Sequence, residues 1–303
     1  MGRTVRIVGA PTDYGADRRG VDMGPSAIRY AGLESHVASA GVECADGGNL
    51  EVPIAGRAAE AAVDDHVRFL DETEAVCTRL ADVVADILDS GEFPLVLGGD
   101  HSISIGTIGG SSRGADVGVL WFDAHGDYNT PATSPSGNIH GMTLAAALGH
   151  GAFADEPWAH APGFAEENLV WVGLRDLDPG EAERIRESEA TAFTMADVDE
   201  RGMDEVIETA LDVATAGVEG LHVSLDLDWL EPTEAPGVGT PVAGGATYRE
   251  AHFALERVAA RDAETGLLRS MDLVEVNPIL DDRNETAELA TELAASALGK
   301  RIL

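Results

Sequence analysis

Short apolar runs alternate with amphipathic segments along almost the whole chain, and this alternation constrains the fold more than any other feature. The apolar runs are residues 5–9, 94–97, 117–122, 169–173, 221–227 and 267–276. Apolar residues return every three or four positions in residues 71–88, 203–216, 248–260 and 285–298, as they do on a helix face. The pattern predicts an α/β fold: a three-layer, doubly wound, mostly parallel sheet with helices on both faces. We expect one domain over residues 1–303.

The strongly negative charge of the chain argues against some classes of binding partner. The 54 acidic residues against 20 basic ones give a formal net charge of −34, and Lys300 is the only lysine. Such a field repels phosphate backbones, so we expect no nucleic acid partner. An even acidic excess is typical of proteins adapted to concentrated salt, where the Debye length falls to about 3 Å near 1 M. We therefore expect a halophilic source.

The cysteines and the hydropathy indicate a compartment. Cys44 and Cys77 form neither a disulfide framework nor a CxxC metal site, so we expect reduced thiols. No run approaches 18 apolar residues, and the first residues do not resemble a secretion signal. These observations predict a cytoplasmic protein that does not enter a membrane.

Three apolar runs end in clusters of charged residues. They lead into GGDHS (residues 98–102), DAHGD (123–127) and SLDLD (224–228). Side chains alternate in an extended chain, so residues 123, 125 and 127 are expected on one side, and likewise residues 226 and 228. Ligands gather at the carboxyl edge of a parallel sheet. The candidate metal ligands are therefore His101, Asp123, His125, Asp127, Asp226 and Asp228.

Four carboxylates and two imidazoles suit Mn²⁺, with Fe²⁺, Co²⁺ and Zn²⁺ as competitors. One divalent ion would leave the four carboxylates with two uncompensated charges, whereas two ions neutralise them. Six side chains fill two coordination spheres only if some carboxylates bridge, and the central ones are Asp123 and Asp226. Two ions about 3.5–4 Å apart lower the pKa of a water held between them, which predicts hydrolytic chemistry.

Each cluster also has a simpler interpretation. A single DxHxD in an acid-rich chain is weak evidence, His101 would fit a core position, and Asp228 would fit a turn. Three clusters that each follow an apolar strand are harder to explain in that way. The combination favours a metal site.

The signatures GGDHS, DAHGD and SLDLD, in this order and spacing, resemble those of the ureohydrolase family: arginases, agmatinases and formimidoylglutamases. Residues 9–33, 129–142 and 272–303 resemble arginases in particular, so the likeness covers essentially the whole chain. The resemblance implies an arginase-like α/β domain with two Mn²⁺ per subunit. It also implies a homotrimer or homohexamer that cleaves L-arginine to L-ornithine and urea.

The resemblance also distributes the metal ligands. It implies that His101, Asp123, Asp127 and Asp226 bind one manganese ion. The other ion would be bound by Asp123, His125, Asp226 and Asp228, so that Asp123 and Asp226 bridge. The charge argument points to the same two bridging residues.

Residues for substrate and catalysis follow from the same resemblance. It implies that Glu275 pairs with the guanidinium, whose planar fork matches a carboxylate, and that His140, with Asp127, relays a proton to the leaving amine. Taken alone, these would be a strand end and an incidental loop histidine, and the loop residues below would only form turns or begin a helix. The implied contacts to the amino acid end and the pocket wall are Asn129, Ser136, Asn138, Asp178 and Thr240.

One departure and two alternatives remain. The resembled family commonly has an aspartate before the proline at residue 232, and this chain has Glu231, which puts only metal tuning in doubt. A related ureohydrolase acting on agmatine or formimidoylglutamate is the nearer alternative. Agmatine has no α-carboxylate for Asn129, Ser136 and Asn138 to hold, which favours arginine. A non-catalytic metal-binding subunit is the remote alternative. The remaining histidines, His222 among them, match no signature.

Overall fold

The computed structural model describes residues 3–53 and 67–301. Eight strands form one sheet in the order β2-β1-β3-β8-β7-β4-β5-β6, and every neighbouring pair is parallel. The strands are β1 (Thr4–Ala10), β2 (Glu43–Asn49), β3 (Phe93–Gly98), β4 (Val117–Phe122), β5 (Phe164–Leu174), β6 (Thr191–Thr194), β7 (Gly220–Asp226) and β8 (Leu268–Val274). This arrangement confirms the predicted parallel α/β fold.

Ten α-helices surround the sheet in the described part of the chain. They are α1 (Gly24–Tyr30), α2 (Leu33–Ser39), α3 (Leu70–Asp89), α4 (Ser104–Ser111), α5 (Thr143–Ala147), α6 (Pro179–Glu187), α7 (Met195–Arg201), α8 (Met203–Ala214), α9 (Tyr248–Thr265) and α10 (Glu285–Ala297). None of these helices combines the length and the hydropathy that a bilayer crossing requires.

Alternate residues of the central strands pack into cores on opposite faces of the sheet. In β3, Leu95 and Leu97 belong to one buried apolar cluster and Val96 to another. In β4, Leu120 and Phe122 face the first cluster. Because both faces are covered, these strands are apolar throughout, as expected for a parallel sheet.

The long helices begin and end where local signals place them. Val76, Leu80, Val84 and Ile87 form the buried stripe of α3 at helical spacing. A capping box between Thr247 and Glu250 starts α9. Gly266, with a φ of 70°, ends that helix in the left-handed conformation that glycine adopts without strain.

The carboxyl ends of β3, β8, β7 and β4 lie side by side at the centre of the sheet. The chain passes from β3 to β4 across the positions that β8 and β7 later fill, which creates a change of winding direction there. Ligand sites of doubly wound sheets occur at such points. The three charged clusters of the sequence all lie at this edge.

Candidate active site

The six predicted metal ligands come from the ends of three central strands. His101 begins a short 3-10 helix three residues beyond the end of β3, and Asp100 caps that helix by accepting from the Ser102 amide. Asp123 follows β4 directly, and Asp226 is the last residue of β7. Strand ends in a packed sheet hold their side chains rigidly, which is what a metal centre requires.

The local conformation beyond these strands differs from the extended chain that the sequence analysis expected. Residues 123–130 are irregular, Asp127 has a φ of 48°, and Asp228 lies in the 3-10 helix Leu227–Trp229. The period-two argument is therefore wrong here, because the chain leaves the sheet at Asp123. Asp127 is held instead by its carbonyl oxygen, which accepts a hydrogen bond from the Leu144 amide at 2.9 Å.

The first ligand cluster surrounds the Nδ1 atom of His101. This atom lies 3.1 Å from one carboxylate oxygen each of Asp123, Asp127 and Asp226. It nevertheless has no hydrogen-bond partner among the described residues. One N–H cannot point at three acceptors, whereas donor atoms about 3 Å apart suit an ion with bonds of about 2.0–2.2 Å. The donor set therefore fits a divalent metal ion.

The second ligand cluster surrounds the Nδ1 atom of His125. It lies 3.0 Å from Asp228 Oδ2 and 3.4 Å from Asp123 Oδ1. Asp123 thus faces both imidazoles with different oxygens, as a bridging carboxylate would. Asp226 directs Oδ2 to the first cluster, and its Oδ1 accepts from the Asp228 amide at 2.7 Å.

The pKa values within the site show how strongly the carboxylates crowd one another. Burial and the charges of Asp228 and Asp123 raise the pKa of Asp226 well above its usual range. Burial and the charge of Asp123 raise the pKa of Asp127 to about 6. Such shifts indicate an excess of buried negative charge, which bound cations compensate.

Glu275 and His140 form a contact beside the first ligand cluster. Glu275 is 2% exposed, and its Oε1 accepts from the His101 amide at 2.9 Å and lies 3.1 Å from His140 Nδ1. Burial lowers the pKa of His140, but the hydrogen bond and charge of Glu275 outweigh it and raise the pKa to about 9. The other oxygen of Glu275, Oε2, faces Gly239, where an added Cβ atom would come within 3.5 Å of it.

The backbone around His140 is tied to the end of β3 through Gly15. The Gly15 amide donates to the buried Asp100 carboxylate at 3.0 Å, and the Gly15 carbonyl accepts from the His140 amide at 3.2 Å. A Cβ atom at residue 15 would overlap the carboxylate of Asp100. The glycine thus permits the close approach that fixes the His140 loop.

A cavity of about 280 Å³ opens next to the ligand clusters. Asp178 starts α6 by accepting from the Gly180 and Glu181 amides with Oδ1, while its Oδ2 accepts from Asn129 Nδ2 at 2.7 Å. Thr240 donates to Asp228 Oδ2 at 2.8 Å. Predicted site residues that line the cavity are His125, Asp127, Asn129, Ser136, His140, Asp178, Asp226, Asp228 and Thr240.

The structure adds cavity residues that the sequence analysis did not single out. Ser134, Asp176 and Glu181 also line the cavity. Glu181 is 5% exposed, and burial together with the charges of Asp127 and Asp178 raises its pKa to about 9. The sequence offered one signal for this residue: Glu181 lies three residues after Asp178, the N-cap of α6 and a predicted site residue. The predicted residue Asn138 instead donates to the Ala16 carbonyl at 3.1 Å.

Glu231 does not touch the ligand clusters. Its Oε2 accepts from the Gly244 and Gly245 amides at 2.7 and 3.0 Å, so the carboxylate holds a loop beyond β7. The glutamate in place of the more common aspartate therefore binds the backbone of this loop and not the metal-ligand clusters.

The fold and the site together define a class of protein: a parallel α/β protein whose sheet carries, at its carboxyl edge, carboxylate–imidazole clusters that could hold metal ions. The model of the Arginase family matches residues 3–299. An arginase from Brevibacillus brevis is 48% identical over the full length of both chains. The solved arginase of Bacillus caldovelox is 45% identical, with a TM-score of 0.92 over 99% of this chain and 100% of that one. That of Entamoeba histolytica, solved in complex with L-ornithine, is 32% identical, with a TM-score of 0.87 over 99% and 100%. The chain belongs to the arginase family, whose members are metal-dependent.

Proposed function

We propose that this enzyme hydrolyses L-arginine to L-ornithine and urea. One observation carries the proposal: the same cavity is lined by carboxylates of the ligand clusters, Asp127 and Asp228, and by the polar loop residues Asn129 and Ser136. The first pair suits metal-assisted hydrolysis, and the second suits an amino acid carboxylate. Full-length identity of 45–48% to arginases supports the same activity.

We propose two manganese ions as the cofactor. His101, Asp123, Asp127 and Asp226 would hold one ion, and Asp123, His125, Asp226 and Asp228 the other. The oxygen-rich donor set favours Mn²⁺, and the buried negative charge favours two ions over one. When bound, such a pair supplies an acidified water and stabilises negative charge that develops during hydrolysis.

The cavity wall would hold the amino acid end of the substrate. Asn129 and Ser136 offer donors for an α-carboxylate, and Asp178 offers its Oδ2 to an α-amino group. Asn138 would act through its loop, since its side chain binds the Ala16 carbonyl. Thr240, whose hydroxyl donates to Asp228, would form part of the cavity wall. L-Ornithine bound to the Entamoeba histolytica arginase supports an amino acid ligand here.

Glu275 and His140 would act on the reacting end. Glu275 is buried with Oε2 directed toward Gly239, so a guanidinium there would find a carboxylate acceptor fixed by two further contacts of Oε1. His140 lines the cavity and would deliver a proton to the departing amine, with Asp127 as the neighbouring carboxyl group. Orientation of the guanidinium and timely protonation are the contributions of these side chains.

The test compares three substrates with one enzyme preparation. Urea release from L-arginine and from agmatine, and formamide release from formimidoylglutamate, are measured with added Mn²⁺ in low and in molar salt. We expect L-arginine to have the highest kcat/KM, because the other two cannot satisfy both the α-carboxylate and the guanidinium contacts.

Equal or faster turnover of agmatine would contradict the arginine assignment and would favour an agmatinase. Release of formamide alone would favour a formimidoylglutamase. Absence of turnover of all three, in a preparation that retains its metal, would favour a non-catalytic metal-binding subunit.

We further propose one domain over residues 1–303, a cytoplasmic location, a trimer or hexamer, and a saline habitat. The assembly rests on the resemblance to ureohydrolases, and the habitat on the net charge of −34. The mass of the assembly in solution and the salt dependence of activity test the last two.

A further inference from the structure

A set of buried polar side chains lies on one face of the two central strands β7 and β8. Their register pairs His222 with Ser270 and Ser224 with Asp272. Helix α4 adds two serines from above this face. We call the set the buried polar ladder; each member is 0% exposed, and they are Ser104, Ser111, His222, Ser224, Ser270 and Asp272. Such positions in a parallel sheet usually hold Val, Ile or Leu, and polar groups there cost free energy unless they are hydrogen-bonded.

The ladder encloses a carboxylate. Ser104 Oγ donates to Asp272 Oδ2 at 2.7 Å, and His222 Nε2 lies 3.4 Å from the same oxygen. His222 Nδ1 in turn lies 2.8 Å from Ser270 Oγ. Burial raises the pKa of Asp272, but the charge of His222 outweighs burial and holds the pKa below its usual value. The core of the sheet therefore contains an ionised aspartate.

The ladder reaches the metal-ligand cluster through Ser224. Its Oγ lies 2.8 Å from His101 Nε2. The ring of His101 stacks on Trp121, with centroids 4.0 Å apart and planes 4° apart. On the opposite edge of the ring, Nδ1 faces the carboxylates of the first cluster. The ring is thus fixed on one face and at one nitrogen, and its other nitrogen is directed into the site.

A metal ion at Nδ1 would determine which atom donates in the hydrogen bond between His101 and Ser224. A neutral imidazole carries a single N–H. If that N–H is on Nε2, it donates to Ser224 Oγ, whose register partner on β8 is Asp272. Nδ1 then keeps the lone pair that a metal ion requires. Ligating histidines commonly have their second nitrogen bonded to a carboxylate or another acceptor that sets the tautomer.

We propose that Ser224 is a positioning residue for the metal centre: it holds His101 in the tautomer and orientation that present Nδ1 to a divalent cation. The inference rests on the proposed function, because it requires His101 to be a ligand.

The test compares two serines on the same strand face. Ser224→Ala cuts the link to His101, whereas Ser270→Ala removes an equally buried hydroxyl that bonds His222 and Ser111. Manganese stoichiometry and affinity are measured by equilibrium dialysis of the whole chain. We expect Ser224→Ala to weaken the binding of one of the two ions by about 10- to 100-fold and to leave the affinity for the other unchanged. Ser270→Ala should keep both affinities even if its unfolding midpoint falls.

Parent-like manganese affinity in Ser224→Ala would overturn the inference, and so would equal weakening in Ser270→Ala, because that would indicate general softening of the core. If Ser224→Ala does not fold, Ser224→Cys, which keeps a weak donor, makes the same comparison. A parent chain that binds no manganese contradicts the proposed function as well. A parent that binds two ions beside an unchanged Ser224→Ala contradicts this inference alone.

Discussion

At the residue scale, the site contains carboxylate side chains whose two oxygens make different contacts. Asp178 caps α6 with one oxygen and holds Asn129 with the other. Glu275 binds the His101 amide and His140 through Oε1, while its Oε2 faces Gly239. Both Glu275 and Asp127 have positive φ values, 64° and 48°, a conformation that is costly for such residues and is usually found where function demands it.

His140 offers a direct test of proton transfer. His140→Ala should keep its bound manganese and lose about 10²-fold or more in kcat, because the leaving amine would lack its proton donor. The matched control is His160→Ala, an exposed histidine outside the active-site cavity. Turnover of arginine and metal content are measured on both variants. A His140→Ala rate equal to that of the control would remove the proposed role.

The sequence predicted which charged side chains would lie together at the carboxyl edge, and the reason is physical. All six candidate metal ligands lie in two clusters at the carboxyl edge, because each lies at or just beyond the end of an apolar strand whose position is constrained. Glu181 and Ser134 were not predicted, since their place in the cavity depends on how α6 and the 130–137 loop fold back over the edge. The side-chain direction of Asn138 could not be predicted either, because a loop residue can point into the cavity or toward the neighbouring backbone.

At the element scale, prediction succeeded where burial imposes a pattern and failed at the sheet edges. The runs expected for β1, β3, β4, β5, β7 and β8 all proved to be strands, with ends shifted by a few residues. Neither β2 nor β6 was predicted. Residues 43–49, ECADGGN, form a mostly exposed edge strand without apolar alternation, and β6 has only four residues. Helix α4, SIGTIGGS, was missed because small and polar residues fill it.

Close packing between elements predicts a large effect at one glycine. A Cβ atom at Gly118 in β4 would overlap the Ala214 carbonyl at the end of α8, whereas at Gly109 in α4 its nearest neighbour would be 3.8 Å away. We expect Gly118→Ala to lower the free energy of unfolding by about 1–3 kcal/mol. Gly109→Ala should leave it unchanged or raise it by about 0.5–1 kcal/mol, because alanine favours helix. The urea unfolding midpoints of the two metal-free variants test this expectation. Equal midpoints for Gly118→Ala and Gly109→Ala would contradict this account of the β4–α8 contact.

At the scale of the whole molecule, negative charge is in excess both on the surface and at the carboxyl edge of the sheet. The two sets of charges are compensated in different ways. The net charge of −34 belongs mostly to exposed side chains, which solvent and salt screen. The carboxylates at the ends of β4 and β7 are buried and crowd one another. Screening by salt reaches such groups poorly, so bound cations are the physical remedy there.

The most direct test of a two-metal hydrolase is a manganese titration of the metal-free chain, with bound metal and arginine turnover measured on the same samples. The account predicts no turnover without metal, saturation at two ions per chain, and full activity only at that ratio. Asp123→Ala, which removes a carboxylate that faces both imidazoles, should bind manganese poorly and stay inactive. Full activity with one ion per chain, or two tightly bound ions in Asp123→Ala, would contradict the central claim.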